Sequence, residues 1–514
     1  MNKKYKDNEM YYIDYYEHFV TDRSITLYWD KPDRAPRNIV YKVLLDGELI
    51  RETSKTHCTI ENLNYSQEYF VQVEMVVDGE HVSSIEYGVI STAQMKKRRD
   101  ITKAPYNAVG DGETLNTKAL QQAINDCTVE EVLYIPAGIF MTGALRLHSD
   151  MEIYMEEGAV LQGTCCVDDY LPRIHSRFEG TELSCYSSVL NMGELDHASG
   201  YNCRNILIHG KGTIASGGRD LACAVIESER ERLKDYLLEL GDKIKEYQTT
   251  RTIPGRARPR LVNMSNCQNI ILSGLTFENG ASWNVHMIYS DNIVTHDCVF
   301  KSENVWNGDG WDPDSSTNCT IFATTFYTGD DSVAIKSGKN PEGNIINRPC
   351  EHIRIFDCVS KFGHGVTIGS EMSGGINDVK IWDCDLENSL YGIEIKGTKK
   401  RGGYVRNINV SDCILPRVMF HSVGYNDDGI SAGVAPVFEK CNFERIALSG
   451  AYLSKEREWC ECAAIELCGF DEPGHEIKDI TFRDVKIGSD KLCREQILSL
   501  RLCENITLER ISCS

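Results

Sequence analysis

Ser290-Asp-Asn-Ile-Val-Thr-His-Asp-Cys298, Ile376-Asn-Asp-Val-Lys-Ile-Trp-Asp-Cys384 and Val405-Arg-Asn-Ile-Asn-Val-Ser-Asp-Cys413 are one phrase written three times. Looser copies stand at Cys203-Arg-Asn-Ile-Leu-Ile-His-Gly210, Cys267-Gln-Asn-Ile-Ile-Leu-Ser-Gly274 and Cys350-Glu-His-Ile-Arg-Ile-Phe-Asp-Cys358, and again at Ile477-Lys-Asp-Ile-Thr-Phe-Arg-Asp484 and Cys503-Glu-Asn-Ile-Thr-Leu-Glu-Arg510. Each copy alternates apolar and polar residues, the period of a short strand with one face in a core. The copies recur at about 21 to 30 residues, or at two to three times that where a coil lacks a clear copy, as from 203 to 267, 290 to 350 and 405 to 477. That period suits the coils of a parallel β-helix and is too irregular for leucine-rich repeats. Asn, Asp and Cys recur at fixed places in the phrase, so they read as turn ladders and buried stacks. The fold class predicted is all-β, a right-handed parallel β-helix.

Working outward, residues 1–95 read as a separate small β-sandwich. Ser24-Ile-Thr-Leu-Tyr-Trp29, Val40-Tyr-Lys-Val-Leu-Leu45, Cys58-Thr-Ile60 and Tyr69-Phe-Val-Gln-Val-Glu-Met75 are its strands, with Asp46-Gly47 and Asp78-Gly79 as hairpin turns. Trp29, Tyr41, Leu63 and Tyr69 are placed as in a fibronectin type III module, which this segment resembles. Lys96-Lys-Arg-Arg99 reads as a charged linker, and residues 96–514 as the β-helix domain. Its first helix, Asn116–Asp126, presents Leu120, Ala123, Ile124 and Cys127 on one face and is expected to cap the first coil. A helical insertion is expected near 227–258, where Leu233, Tyr236, Leu237, Leu240, Ile244 and Tyr247 recur at helical spacing. The insertion and the sandwich are the candidate surfaces for a homo-oligomer.

The 514 residues carry a formal net charge of −21. This excludes a general nucleic-acid binder, which needs basic surface to displace counterions. It also requires that any site for an acidic sugar be locally basic. Met1–Met10 is polar, and no stretch is apolar enough to span a bilayer, so neither a leader nor a membrane partner is expected. The 21 cysteines are scattered, without a CxxC pair. They read as small buried apolar residues in a reducing cytoplasm. No phosphate-loop signature is present, and no cofactor or metal is expected.

The chemistry gathers in four clusters on successive coils: Asn307-Gly-Asp-Gly-Trp-Asp-Pro-Asp-Ser315, Gly329-Asp-Asp-Ser-Val-Ala-Ile-Lys336, Gly363-His-Gly365 and Ile393-Glu-Ile-Lys396. Stacked coils bring them to one face. Glycoside hydrolysis needs two carboxyl functions, one to protonate the leaving oxygen and one to activate water or attack. Asp309, Asp330 and Asp331 are the candidates. On an extended strand Asp330 and Asp331 would point to opposite faces, so a bulge or turn beside Gly329 must re-aim one. Crowded carboxylates raise one another's pKa, which suits keeping one protonated. Three acids also suit calcium. His364 is flanked by glycines that leave it open to a ligand, and Lys396 ends a strand where it meets an anionic sugar.

In these motifs, from about Asp100 to its end, the chain resembles glycoside hydrolase family 28, the polygalacturonases and related pectin hydrolases. That family's NTD, DD, GHG and RIK motifs stand here as Asn307-Gly-Asp309, Gly329-Asp-Asp331, Gly363-His-Gly365 and Glu394-Ile-Lys396. The phrases Arg258-Pro-Arg260 and Ser282-Trp-Asn-Val-His286 extend the likeness. A fibronectin-like module before the β-helix is similar to the exo-acting bacterial members. The resemblance implies an inverting exo-acting α-galacturonidase that trims pectin-derived oligosaccharides. It assigns Asp330 as general acid, Asp309 and Asp331 as the pair that positions and deprotonates water, and His364 as the acid's partner. Lys396, Asn307 and His286 become substrate contacts. One departure matters: Glu394 replaces an Arg that grips a uronate carboxylate. Either another cation such as Arg401 supplies that contact, or Glu394 faces a neutral sugar and the substrate is a rhamnogalacturonan. A β-helix polysaccharide lyase and a non-catalytic carbohydrate-binding protein are the rival expectations.

Overall fold

Stacking of the phrase generates most of the molecule. In the computed structural model, which describes residues 13, 15–33, 35, 36, 38–425, 427–488 and 497–513, the central apolar residue of each copy lies on that of the next. Ile206, Ile270, Ile293, Cys319, Ile353, Val379, Ile408, Cys441, Ile480 and Ile506 form one parallel row without register drift. Met1–Met10, read above for a leader, lies outside the described residues. Successive coils add short strands to three sheets of 15, 8 and 11 strands. A single apolar core runs inside them. The fold is a parallel β-helix.

The recurrent polar residues explain the coil shape. Asn205, Asn269, Asn292, Asn318, Asn407 and Asn505 precede the stacked apolar residue, all with φ between 52° and 59°. Asn tolerates this left-handed backbone because its short amide bonds locally. Here the amides bond along the stack: Asn292 Nδ2 donates to Asn269 Oδ1, and Asn269 Nδ2 to Asn205 Oδ1, each at 2.9 Å. Cys298, Cys358, Cys384 and Cys413 are buried at the next corner. Their thiols donate to the carbonyls of His296, Phe356, Trp382 and Ser411. Beside them His296, Phe322, Phe356 and Trp382 form a ring stack with centroids 4.4–4.9 Å apart.

Three sequence readings need correction. Lys97–Asp100 is the first strand of the 15-stranded sheet rather than a linker, and Arg99 is fixed there by Glu131 at 2.6 Å. The helical insertion begins earlier than its apolar stripe suggests, with a helix at Gly218–Arg232 that buries Leu221, Ala222, Val225 and Ile226. The stripe itself falls on Lys234–Leu240 and a following 3-10 turn, which bury no residue.

The described residues up to Lys97 form a compact unit of their own. Its described strands make antiparallel sheets of three and four strands around a separate core. Trp29 packs edge-on against Tyr41 with centroids 5.0 Å apart. Asp46-Gly47 and Asp78-Gly79 both have positive φ at each residue, as hairpin turns of that sequence require.

Candidate active site

Strands Val285–Ile288, Trp311–Asp314, Val333–Ile335, Gly365–Ile368, Gly392–Gly397 and Val418–Ser422 succeed one another across the 11-stranded sheet. Val285, Trp311, Val333, Val366, Ile393 and Val418 stack in the core. Alternation turns the residues between them outward. His286, Asp312, Thr367, Glu394 and Lys396 therefore share one outer face. His286, Asp312, Thr367 and Glu394 are buried although they face outward, and buried polar groups are the informative exception on such a face.

A cavity of about 280 Å³ opens on that face. Asn307, Asp309, Asp330, Asp331, His364, Lys396 and Arg401 line it. Residues 329 and 330 are a bend before the strand Val333–Ile335, so the adjacent carboxylates need not diverge. Both converge on one nitrogen: His364 Nδ1 lies 2.9 Å from Asp330 Oδ1 and donates to Asp331 Oδ1 at 3.1 Å. Thr367 Oγ1 also donates to Asp331 Oδ1, at 2.8 Å. The glycines beside His364 serve the backbone rather than ligand access. At Gly363 (φ 126°) a Cβ would stand 2.2 Å from Thr328 Oγ1, and at Gly365 (φ 98°) 2.4 Å from the Gly392 carbonyl.

Charge is divided sharply within the site. Burial works against ionising Asp330, but the charges of His364 and Lys396 outweigh it and hold the carboxyl well below its usual range. Asp331 is also held low, against burial, by Lys396 and His364. Burial alone would deprotonate His364, yet the two aspartates push it up to about 10. Asp309 is the opposite case. Burial and the neighbouring Asp312 raise it well above the carboxylate range, and Lys336 compensates only in part. Asp312 is raised for the same first reason, burial. Burial first, and mutual crowding second, thus leave Asp309 and Asp312 as carboxyls that retain a proton, while Asp330 and Asp331 are held ionised. A calcium ion shared by Asp330 and Asp331 would have to displace the imidazolium that already bridges them.

Two predicted contacts are not at the cavity wall. His286 is fully buried between Arg260 and Asp314, each at 3.4 Å, and burial lowers its pKa to about 4. Glu394 is 1 % exposed. Its carboxylate accepts from Lys396 Nζ at 2.9 Å and from His421 Nε2 at 2.7 Å. It offers no free oxygen to a sugar and presents no naked charge to a uronate. Arg401 does reach the cavity, but its guanidinium is taken up by Asp428, Asn340 and the Ser370 carbonyl.

Sequence reasoning passed over several lining residues. Lys336 closes the quoted Asp330-Asp331 cluster; it bridges Asp314 in register, stands 3.4 Å from Asp309 Oδ2 and lies 4.7 Å over the Trp283 ring. Its position one residue past the core residue Ile335, on the outward alternation shared with Ala334, was the available signal. Arg256, Lys339, Tyr425 and Asp427 come from loops without a motif. Arg256, from the helical insertion, joins Glu179 at 2.9 Å and Asp427 at 2.6 Å. Three separate chain segments are thereby tied at one side of the cavity.

The sequence model of glycosyl hydrolases family 28 matches residues 152–426. An exo-poly-alpha-D-galacturonosidase of Dickeya chrysanthemi is 26% identical over 433 residues, spanning 75% of this chain and 71% of that protein. A probable polygalacturonase of Vitis vinifera is 32% identical over 346 residues, 65% of this chain and 63% of the relative. Among solved structures, a hyperthermoactive exopolygalacturonase from Thermotoga maritima superposes with TM-score 0.66 at 25% identity, covering 81% of this chain and 92% of that one. A family 28 exopolygalacturonase from Yersinia enterocolitica gives TM-score 0.78 at 20% identity over 97% of this chain and 96% of that one, a likeness of fold.

Proposed function

From a chain that belongs to glycosyl hydrolases family 28, and is therefore a glycoside hydrolase, we propose an inverting, exo-acting α-galacturonidase that releases galacturonic acid from the ends of pectin-derived oligosaccharides. The relatives named above include enzymes called exo-poly-alpha-D-galacturonosidase and exopolygalacturonase. One observation carries the reading. Five Lys and Arg side chains and the His364 imidazolium line one cavity with six carboxyl groups, of which Asp309 keeps its proton, in a protein of net charge −21. Such local relief of the negative charge is what an anionic sugar requires. The Arg256 tie across one side supports action on chain ends rather than along a chain.

In this mechanism Asp331, ionised at rest, deprotonates the attacking water. Asp309, which keeps its proton, orients that water. Asp330 protonates the leaving oxygen. It is ionised in the empty cavity, so it must be loaded on binding. A bound uronate supports this, because it adds a negative charge and excludes water, and both effects raise a carboxyl pKa. Lys396 contacts a sugar hydroxyl or carboxylate, and Asn307 is placed to do the same. A rhamnogalacturonan substrate loses its motive, since Glu394 is spent on Lys396 and His421. The N-terminal sandwich is read as a fibronectin type III-like spacer. All 20 described cysteines are free, which supports a reducing, cytoplasmic location.

Defined oligogalacturonates and rhamnogalacturonan oligomers, followed by mass spectrometry and early-time anomeric NMR, test the proposal. Galacturonic acid of inverted configuration should appear from homogalacturonan as the first product. Mixed oligomers as first products, or release from rhamnogalacturonan alone, would refute it.

A further inference from the structure

The cations around the cavity are Lys336, Lys339, Lys396, Arg256, Arg401 and His364. All but one are matched. Lys336 has Asp309 at 3.4 Å, Lys396 has Glu394 at 2.9 Å, and Arg256 has Glu179 and Asp427. Arg401 has Asp428, and His364 has both aspartates. Lys339 alone of the six makes no ion pair among the described residues. Its ammonium donates to the Asp427 main-chain carbonyl at 2.8 Å. With 8% exposure it has little recourse to bulk water.

An ammonium carries three donors, and a buried charge is costly until it is paired. The carboxylates nearest to Lys339 are engaged elsewhere: Asp427 holds Arg256 at 2.6 Å, and Glu371 faces Lys336 at 3.9 Å. Arg256 and Arg401 press on it from the other side; burial first, and then these two charges, lower its pKa. The residue is nonetheless held firmly. Its backbone N–H donates to the Gly180 carbonyl at 2.9 Å, and its carbonyl accepts from Gly343 at 2.6 Å. A fixed cation among cations, lining a cavity and lacking an anion, is a preorganised anion site.

We infer that Lys339 binds the carboxylate of the terminal uronate and so replaces, from a different loop, the arginine whose place Glu394 occupies. This rests on the uronate reading of the substrate. A uronate and its parent hexose differ only at C6, where a carboxylate stands in place of a hydroxymethyl group. A cation that meets C6 therefore selects between them, whereas contacts to ring hydroxyls do not.

Binding of D-galacturonate, its methyl ester and D-galactose to the wild type, K339Q and K339M, measured by ligand-observed NMR and calorimetry, tests the assignment. The wild type should bind the acid roughly 10- to 100-fold more tightly than the ester, the range for one charge-assisted contact. Both variants should lose that preference by weakening the acid alone, with melting curves close to wild type; if one variant fails to fold, the other is read. Equal weakening of all three ligands, or undiminished preference for the acid, would overturn the role of Lys339. Failure of the uronate reading itself looks different, because the wild type would then release no galacturonic acid from oligogalacturonates.

Discussion

Glu394 shows how a single residue misleads when read alone. In sequence it stands where a uronate-gripping cation is expected, and it reads as repulsive. In the fold it lies between Lys396, which pairs with it on its own strand, and His421, which hydrogen-bonds it from the next. Burial, the largest single influence, opposes its ionisation, but Lys396 and the His421 hydrogen bond together outweigh it and keep the carboxyl below the usual range. Removing one partner from a buried charge pair costs about 3–5 kcal/mol, because the survivor stays uncompensated. We expect E394Q to lose roughly 3 kcal/mol of stability near neutral pH, read as a shifted urea midpoint. The carboxyl's folded pKa is depressed, so its contribution is present above the unfolded value and vanishes as pH falls through the folded one. The gap between wild type and E394Q should therefore close under acid, and a gap independent of pH would contradict the pairing. The gathering of Asp309, Asp330, Asp331 and His364 at one cavity was legible because they sit in short motifs rich in glycine. The partners of Glu394 were not, because coil-to-coil pairing joins it to His421 across 27 residues. His286 failed for a related reason: its strand position is right, but Arg260, Trp283 and Asp314 seal it off.

At the scale of elements, the strands declared themselves and the loops did not. Period-two alternation locates each strand, and the row from Ile206 to Ile506 follows from it. Loops carry no such period. The helix Gly218–Arg232 was missed at its start because Gly217, Gly218, Arg219 and Asp220 precede its first apolar residue, Leu221. The loops decide the shape of the cavity. Arg256 ties the helical insertion to Glu179 of one hairpin and to Asp427 of the segment beyond Ser422. A guanidinium joined to two carboxylates ties three separate segments with charge-assisted bonds, each worth about 1.5–3 kcal/mol. We expect R256A to loosen this side, raising KM about tenfold, the equivalent of one such bond. It should also release dimers and trimers among the first products of long oligogalacturonates, where the wild type releases monomer. Chromatography of products at low conversion checks this. An unchanged monomer pattern would mean that the tie does not govern chain-end selection.

At the scale of the whole molecule, two electrostatic effects oppose each other. The chain's net charge of −21 repels a polyanionic substrate at a distance, while the cavity's cations attract it at contact. Salt separates them, because it screens exposed charges over more than a Debye length and buried pairs far less. Raising ionic strength from about 10 mM to about 100 mM shortens that length from roughly 30 Å to roughly 10 Å. The long-range repulsion is then largely lost, and the contact with buried cations such as Lys336, Lys339 and Lys396 mostly survives. KM for oligogalacturonates should therefore fall as salt rises over this range, with kcat unchanged, the reverse of the usual behaviour of complementary charged partners. The effect should grow with substrate length, because each added uronate adds a charge in the outer field and none in the cavity. Initial rates on di-, tri- and hexagalacturonate across a salt series measure it. A KM that rises with salt would mean that attraction extends well beyond the cavity, and that the acidic residues are gathered away from its mouth.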